Sequence, residues 1–192
     1  MLKAELREKY MQKRKALSID EAFLLSEKIF ENFMNSFKPK EAEKVHIFIP
    51  ILARKEIDTK VFIDYFFEQK NRVFVPKIVD DKLINIEIFA DTTFEMSKWG
   101  IPEPVSNEDS GILDFNYVIT PLLYCDKKGN RVGYGKGFYD GFFESLSKDV
   151  KKIGVNYFNP DENIDDVWEN DIPLDYLVTP TDVLSFLILG EE

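Results

Sequence analysis

The sequence predicts an α/β protein built on a largely parallel sheet. Two observations carry that prediction. Short buried runs at 44–49, 72–75, 117–120, 152–155 and 176–179 read as strands. Helical segments alternate with them, the order that winds strands into a parallel sheet. The length of 192 residues and the 44% hydrophobic content suit a single domain over 1–192 with an ample core.

The elements follow in order. Residues 2–17 read as a charged helix. Ser18 and Glu21 form a capping box that starts a second helix, whose Phe23, Phe30, Phe33 and Phe37 are spaced to bury one face. A buried strand at 44–49 ends at Pro50. A helix follows Asp58 and Thr59 and runs to about Gln69. After the strand at 72–75, residues 83–89 alternate as a strand, with Asp80 and Asp81 as a hairpin turn before them. Residues 99–104 read as a rigid Pro-containing loop and 107–111 as a polar one. The strand at 117–120 leads through Pro121 to a glycine-rich stretch, followed by a helix over 138–146. Strands at 152–155, 176–179 and 183–189 complete the chain.

Composition bounds the function. A formal net charge of −10 argues against a nucleic-acid partner, because phosphate backbones need a basic surface. No apolar run reaches the length of a membrane span, and the charged, helical start is not a signal peptide. The single cysteine, Cys125, excludes an internal disulfide and fits a reducing, cytoplasmic setting. With the one histidine, His46, far away in sequence, Cys125 reads as a structural thiol. His46 lies inside a strand and takes no role.

The most informative stretch runs from Asp126 to Asp140. Gly133, Gly135 and Gly137 alternate between Arg131 and Lys136. Alternate glycines let backbone N–H groups converge on an anion, and a helix opening at Gly137 adds its partial positive charge. Lysine suits phosphate, and the carboxylate of Asp140 suits Mg²⁺. The stretch reads as a nucleotide-phosphate cradle. It matches neither common glycine pattern. Phe138 stands where a dinucleotide motif needs its third glycine, and Gly137 follows Lys136 where a P-loop needs Ser or Thr. In an open α/β sheet, ligands bind at the carboxyl ends of strands, which is where this loop and residues 49–56 lie.

In these residues the chain resembles the 5-formyltetrahydrofolate cyclo-ligase family, also called 5,10-methenyltetrahydrofolate synthetase. The stretch from Asp126 to Asp140 follows the family pattern D-x-x-G-x-R-[LV]-G-x-G-x-G-[FY]-Y-D. Lys3, Arg7 and Arg14 resemble its opening helix, Glu56 to Thr59 its E-[IV]-D-T segment, Ile101 to Pro104 its I-x-E-P loop, and Asp171 to Thr179 its closing segment. The resemblance implies a three-layer α/β/α fold similar to NagB, RpiA and CoA-transferase proteins. It implies ATP- and Mg²⁺-dependent closure of 5-formyltetrahydrofolate, polyglutamated or not, to 5,10-methenyltetrahydrofolate, with release of ADP and phosphate. A monomer is expected.

The resemblance also assigns roles. Lys3 and Arg7 contact ATP phosphates, together with Arg131, Val132, Gly133, Tyr134, Gly135, Lys136, Gly137, Phe138 and Tyr139. Lys136 and Arg131 supply the catalytic charge. Asp140 and Asp171 hold Mg²⁺. Ile51, Glu56, Trp99 and Tyr139 meet the folate, with Glu56 facing the pterin's N–H donors. The chain departs from the pattern at Phe138, where tyrosine is commoner, and at Asn170, where many relatives have histidine. Two other readings use the same fold: a non-catalytic folate or nucleotide binder, and a sugar-phosphate isomerase or CoA-transferase relative.

Overall fold

The computed structural model describes residues 1–97 and 100–187. Its main sheet has seven strands in the order β11-β10-β9-β6-β1-β2-β3. These are β1 (Lys44–Ile47), β2 (Arg72–Val79), β3 (Lys82–Ile88), β6 (Tyr117–Pro121), β9 (Lys151–Val155), β10 (Tyr176–Val178) and β11 (Val183–Ser185). The five inner strands are mutually parallel, and β3 and β11 close the two edges antiparallel. The sheet is therefore mixed and mostly parallel. Its inner strands read as unbroken apolar runs because both faces are covered.

The covering helices explain the two cores. On one face, Ile47, Val73, Val75 and Ile119 pack under α2 (Ile19–Phe37) and α3 (Lys60–Glu68). On the other, Phe74, Val118 and Leu177 pack under Phe142 and Phe143 of α4 (Phe138–Ser145). Neighbouring residues such as Val73 and Phe74 thus serve opposite cores, as the two-residue period of a strand requires. A third cluster joins Leu6 and Tyr10 of α1 (Lys3–Ala16) to Tyr124 and Val132. No described helix is long and apolar enough to cross a membrane.

Several expectations change in detail. The capping box of α2 forms as read, with Glu21 N–H on Ser18 Oγ at 3.0 Å and Ser18 N–H on the Glu21 carboxylate at 2.6 Å. The buried face of α2 is Ala22, Ser26, Ile29 and Phe33, however, and Phe23 is left 52% exposed. Phe30 packs from the flank on Phe62 and Tyr65 of α3. β2 runs on through Pro76 to Val79, beyond the reach of β1, so the missing proline N–H costs no ladder bond on that side. The expected turn at Asp80 and Asp81 forms, with both residues at positive φ.

Part of the segment expected as a rigid loop is a strand. β5 (Pro102–Pro104) pairs with β4 (Phe94–Met96) in a two-stranded ribbon, where prolines are tolerated because both strands are edges. Between β6 and the glycines lies a hairpin that the sequence did not reveal: β7 (Tyr124–Cys125) and β8 (Arg131–Val132). Two residues a side are too short to display periodicity.

Candidate active site

The glycine loop is held by one buried carboxylate. Asp126 is 1% exposed. Its Oδ1 accepts from the N–H groups of Lys128 at 2.9 Å and Asn130 at 3.0 Å, which closes the hairpin turn. Its Oδ2 accepts from the Asn130 amide at 3.0 Å and from Ile164 N–H. A carboxylate bonding its own downstream backbone is the usual means of fixing such a turn. Gly133 to Gly137 then cross from β8 to α4. Gly135 and Gly137 adopt φ of +82° and +72°, values that only glycine takes cheaply, and Gly137 is the residue from which α4 starts.

Helix α1 lies against this loop. Arg7 Nε donates to the Gly133 carbonyl at 2.9 Å, and its guanidinium would sit 3.4 Å from a side chain at Gly135. Lys3 Nζ pairs with Asp171, and Lys3 N–H is capped by Asp166 at 2.6 Å. Leu6, Tyr10 and Arg14 form the buried stripe of the helix, while Lys3 and Arg7 flank it. The structure thus brings Arg7 to the loop and Lys3 to Asp171. Arg14 is turned inward and buried.

Asp140, Asp171 and Arg131 form one charged knot. Arg131 Nη2 meets Asp140 Oδ1 at 2.6 Å, and its other terminal nitrogen donates to the Ile172 carbonyl. Ile172 N–H also reaches Asp140 Oδ1 at 3.3 Å, which brings Asp140 to the backbone of the residue after Asp171. Arg131 was expected to counter phosphate charge. Its guanidinium is buried under the Phe143 ring at 4.5 Å and is engaged by Asp140, so here it positions a carboxylate. Among the described residues no group of three His, Cys, Asp or Glu side chains converges. The two carboxylates, each matched by one cation, still suit a hard divalent ion, because Mg²⁺ commonly takes one or two carboxylates and completes its shell with waters and phosphate.

Lys136 is exposed. It stands with Gly137 and Phe138 at one wall of a cleft of about 550 Å³, faced by Asp81, Lys82, Asn85 and Asp109. Val132 is buried among Leu6, Tyr10 and Tyr124, so only its backbone borders the loop. The Tyr139 ring packs edge-on against Phe142 and Phe143. Its buried hydroxyl has no partner among the described residues, and burial holds it protonated, with a pKa well above the usual range. The residue is half-buried, with its ring on these two phenylalanines. Trp99 lies outside the described residues.

Glu56 gathers the remaining site residues. It is buried, with Oε2 accepting from Ile51 N–H at 2.8 Å and Oε1 accepting from the Tyr134 hydroxyl. The same hydroxyl accepts from buried Arg14. Burial, then the Glu56 charge, pushes the Tyr134 pKa up to about 12, so it is a donor at neutral pH. Beside Arg14 and Glu56 is a small cavity of about 10 Å³, walled by Phe48, Pro121 and Val155 from the carboxyl ends of β1, β6 and β9. Sequence reasoning missed the Arg14–Tyr134–Glu56 chain and the role of Asp126. The aspartate was legible in principle, since Asp126, Gly129 and Asn130 are all turn-forming residues within five positions. The chain was not, because its members are 120 and 78 residues apart.

Known proteins share this arrangement of chain and fold. A family model described as the 5-formyltetrahydrofolate cyclo-ligase family matches residues 1–180. The chain is 30% identical over 187 residues to the 5-formyltetrahydrofolate cyclo-ligase of Mycoplasma pneumoniae, covering 93% of this chain and 98% of that protein. It is 26% identical to that of Escherichia coli, covering 90% and 97%. Among solved structures it resembles the 5,10-methenyltetrahydrofolate synthetase of Aquifex aeolicus, with a TM-score of 0.84 and 30% identity over 100% of this chain and 96% of that one.

Proposed function

The chain belongs to the 5-formyltetrahydrofolate cyclo-ligase family, and from that premise we propose that it converts 5-formyltetrahydrofolate to 5,10-methenyltetrahydrofolate at the expense of ATP, as a single domain over 1–192. One observation carries the reading. Tyr134, in the middle of a phosphate-type glycine loop, hydrogen-bonds to Glu56, the buried carboxylate suited to pterin.

The chemistry follows from the substrate. A formyl amide oxygen is a poor leaving group. Transfer of the γ-phosphoryl group of ATP to that oxygen makes it a good one and releases ADP. The N10 amine then attacks the activated carbon and gives up its proton, and the C–O bond breaks with release of phosphate. Such transfer needs positioning and charge more than a covalent catalyst, which fits a chain whose one histidine, His46, is buried in β1. Lys3, Arg7 and Lys136 counter phosphate charge, and the N–H groups of Gly133 to Gly137 bind phosphate oxygens. Glu56 orients the pterin by accepting its N–H groups. Arg131 acts through Asp140, which it holds in place. Asp140 and Asp171 would hold Mg²⁺, which when bound shields the phosphate charge. Lys3 exchanges Asp171 for phosphate in this scheme.

A monomeric cytoplasmic enzyme with no nucleic-acid or membrane partner, of the isomerase and CoA-transferase fold group, belongs to the same proposal. Its test is ADP release. Purified protein with ATP and Mg²⁺ should release ADP only when 5-formyltetrahydrofolate is present, in equal amounts to the folate consumed. Tight folate binding without ADP release would favour a non-catalytic binder.

A further inference from the structure

We infer that Tyr134 is a positioning residue that stands in for the substrate ring at Glu56 and must leave before folate binds, which ties folate binding to the shape of the phosphate loop. The inference rests on the reading of Glu56 as the pterin contact. Three observations support it.

The first is occupancy. Glu56 Oε2 is taken by Ile51 N–H, and Oε1 faces the Tyr134 hydroxyl. A pterin offers a ring N–H and an adjacent amino group as parallel donors, which need both oxygens on one edge. The phenol covers the Oε1 side of that edge. A flat ring donating to Glu56 is also what the pterin would be.

The second is the frame around the ring. The guanidinium carbons of Arg14 and Arg54 each stand 5.7 Å from the Tyr134 ring centre. Arg14 also donates to its hydroxyl. These groups hold a flat π system in place by cation–π attraction, and a departing phenol leaves them for an incoming ring.

The third is the hinge. Tyr134 sits between Gly133 and Gly135 and is 37% exposed, with its hydroxyl turned inward. Glycine on both sides lets the backbone swing. Gly133 is the residue whose carbonyl Arg7 grips. Moving Tyr134 therefore disturbs the segment that would hold phosphates. A nucleotide that reorders the loop and a folate that displaces Tyr134 each meet part of the same cost, so each should favour the other, and linkage makes the effect reciprocal.

The experiment measures 5-formyltetrahydrofolate affinity by calorimetry, with and without a non-hydrolysable ATP analogue and Mg²⁺. In the wild type the analogue should tighten folate binding. Tyr134→Phe keeps the ring but deletes both hydrogen bonds of the hydroxyl. It should bind folate at least roughly tenfold more tightly without nucleotide, since tenfold is about the effect of removing a single charge-assisted hydrogen bond. The tightening by the analogue should shrink toward none. Tyr134→Ala, which removes the ring, should behave in the same direction. Unchanged or weaker folate binding in both variants overturns the inference, because a tyrosine that merely braces Glu56 would be missed by the substrate. A control separates this from the underlying reading: if Glu56→Gln binds folate as the wild type does, Glu56 is not the pterin contact.

Discussion

Two glycines in one loop give opposed predictions that isolate backbone geometry. Gly135 holds φ of +82°, and a methyl group there would meet the Arg7 guanidinium at 3.4 Å. Gly133 lies outside the positive-φ region, and a methyl group there meets nothing within 4 Å. Both substitutions by alanine remove the same freedom from the unfolded chain, so that contribution cancels when they are compared. What remains is the penalty for alanine in the left-handed region, about 1–2 kcal/mol. For a chain of 192 residues, each kcal/mol moves the unfolding midpoint by about 2–4 °C, so Gly135→Ala should melt roughly 2–8 °C below Gly133→Ala. Differential scanning calorimetry of the two variants under one buffer decides it. Equal midpoints, or the reverse order, would show that the loop relaxes freely and does not impose its geometry.

Asp126→Ala should cost about 3 kcal/mol or more in urea unfolding, because it strands several N–H groups that a buried carboxylate now satisfies. A loss under 1 kcal/mol would refute the role given to that turn. His46 is fully buried, close to Asn85 but without hydrogen-bond geometry, and burial pushes its pKa from 6.5 down to about 3. The unfolded chain then takes up a proton below pH 6.5 that the folded chain refuses until about pH 3. Stability should be complete above that window and fall through it on acidification, by up to about 1.4 kcal/mol per pH unit. His46→Leu should flatten this part of the stability profile, and parallel profiles would contradict the assignment. Lys136→Ala and Asp140→Asn should each cut turnover at least tenfold while shifting the unfolding midpoint by only about 2 °C for the exposed lysine. Loss of the fold in the lysine variant would mean that a structural residue was taken for a functional one.

The sequence was readable at several places where local chemistry decides structure, though not at the turn that Asp126 closes. The capping box of Ser18 and Glu21, the turn at Asp80 and Asp81 and the glycines before α4 all depend on residues within a few positions of each other. The mostly parallel sheet was readable for a related reason, since buried parallel strands are apolar on both faces. Direction was harder to read. Arg131 and Lys136 flank the same glycines, yet one guanidinium is buried against Asp140 and Phe143 while the other cation stands in an open cleft. Both look alike as charges beside glycine, and only the placement of Ile172 and Phe143 separates them. Phe23 shows the same limit for packing. It has the helical spacing of Phe30 but lacks the cover that α3 gives to Phe30. The contact of Tyr134 with Glu56 needs the whole sheet to bring two loops together, and no local pattern encodes it.

The central claim is the cyclisation itself, and the near-ultraviolet absorbance of the methenyl product tests it most directly. Purified protein is mixed with 5-formyltetrahydrofolate, Mg²⁺ and ATP, beside a sample without ATP. The methenyl band should grow only with ATP and be almost completely lost in Asp140→Asn. A protein that binds folate but never produces the band under these conditions would contradict that claim.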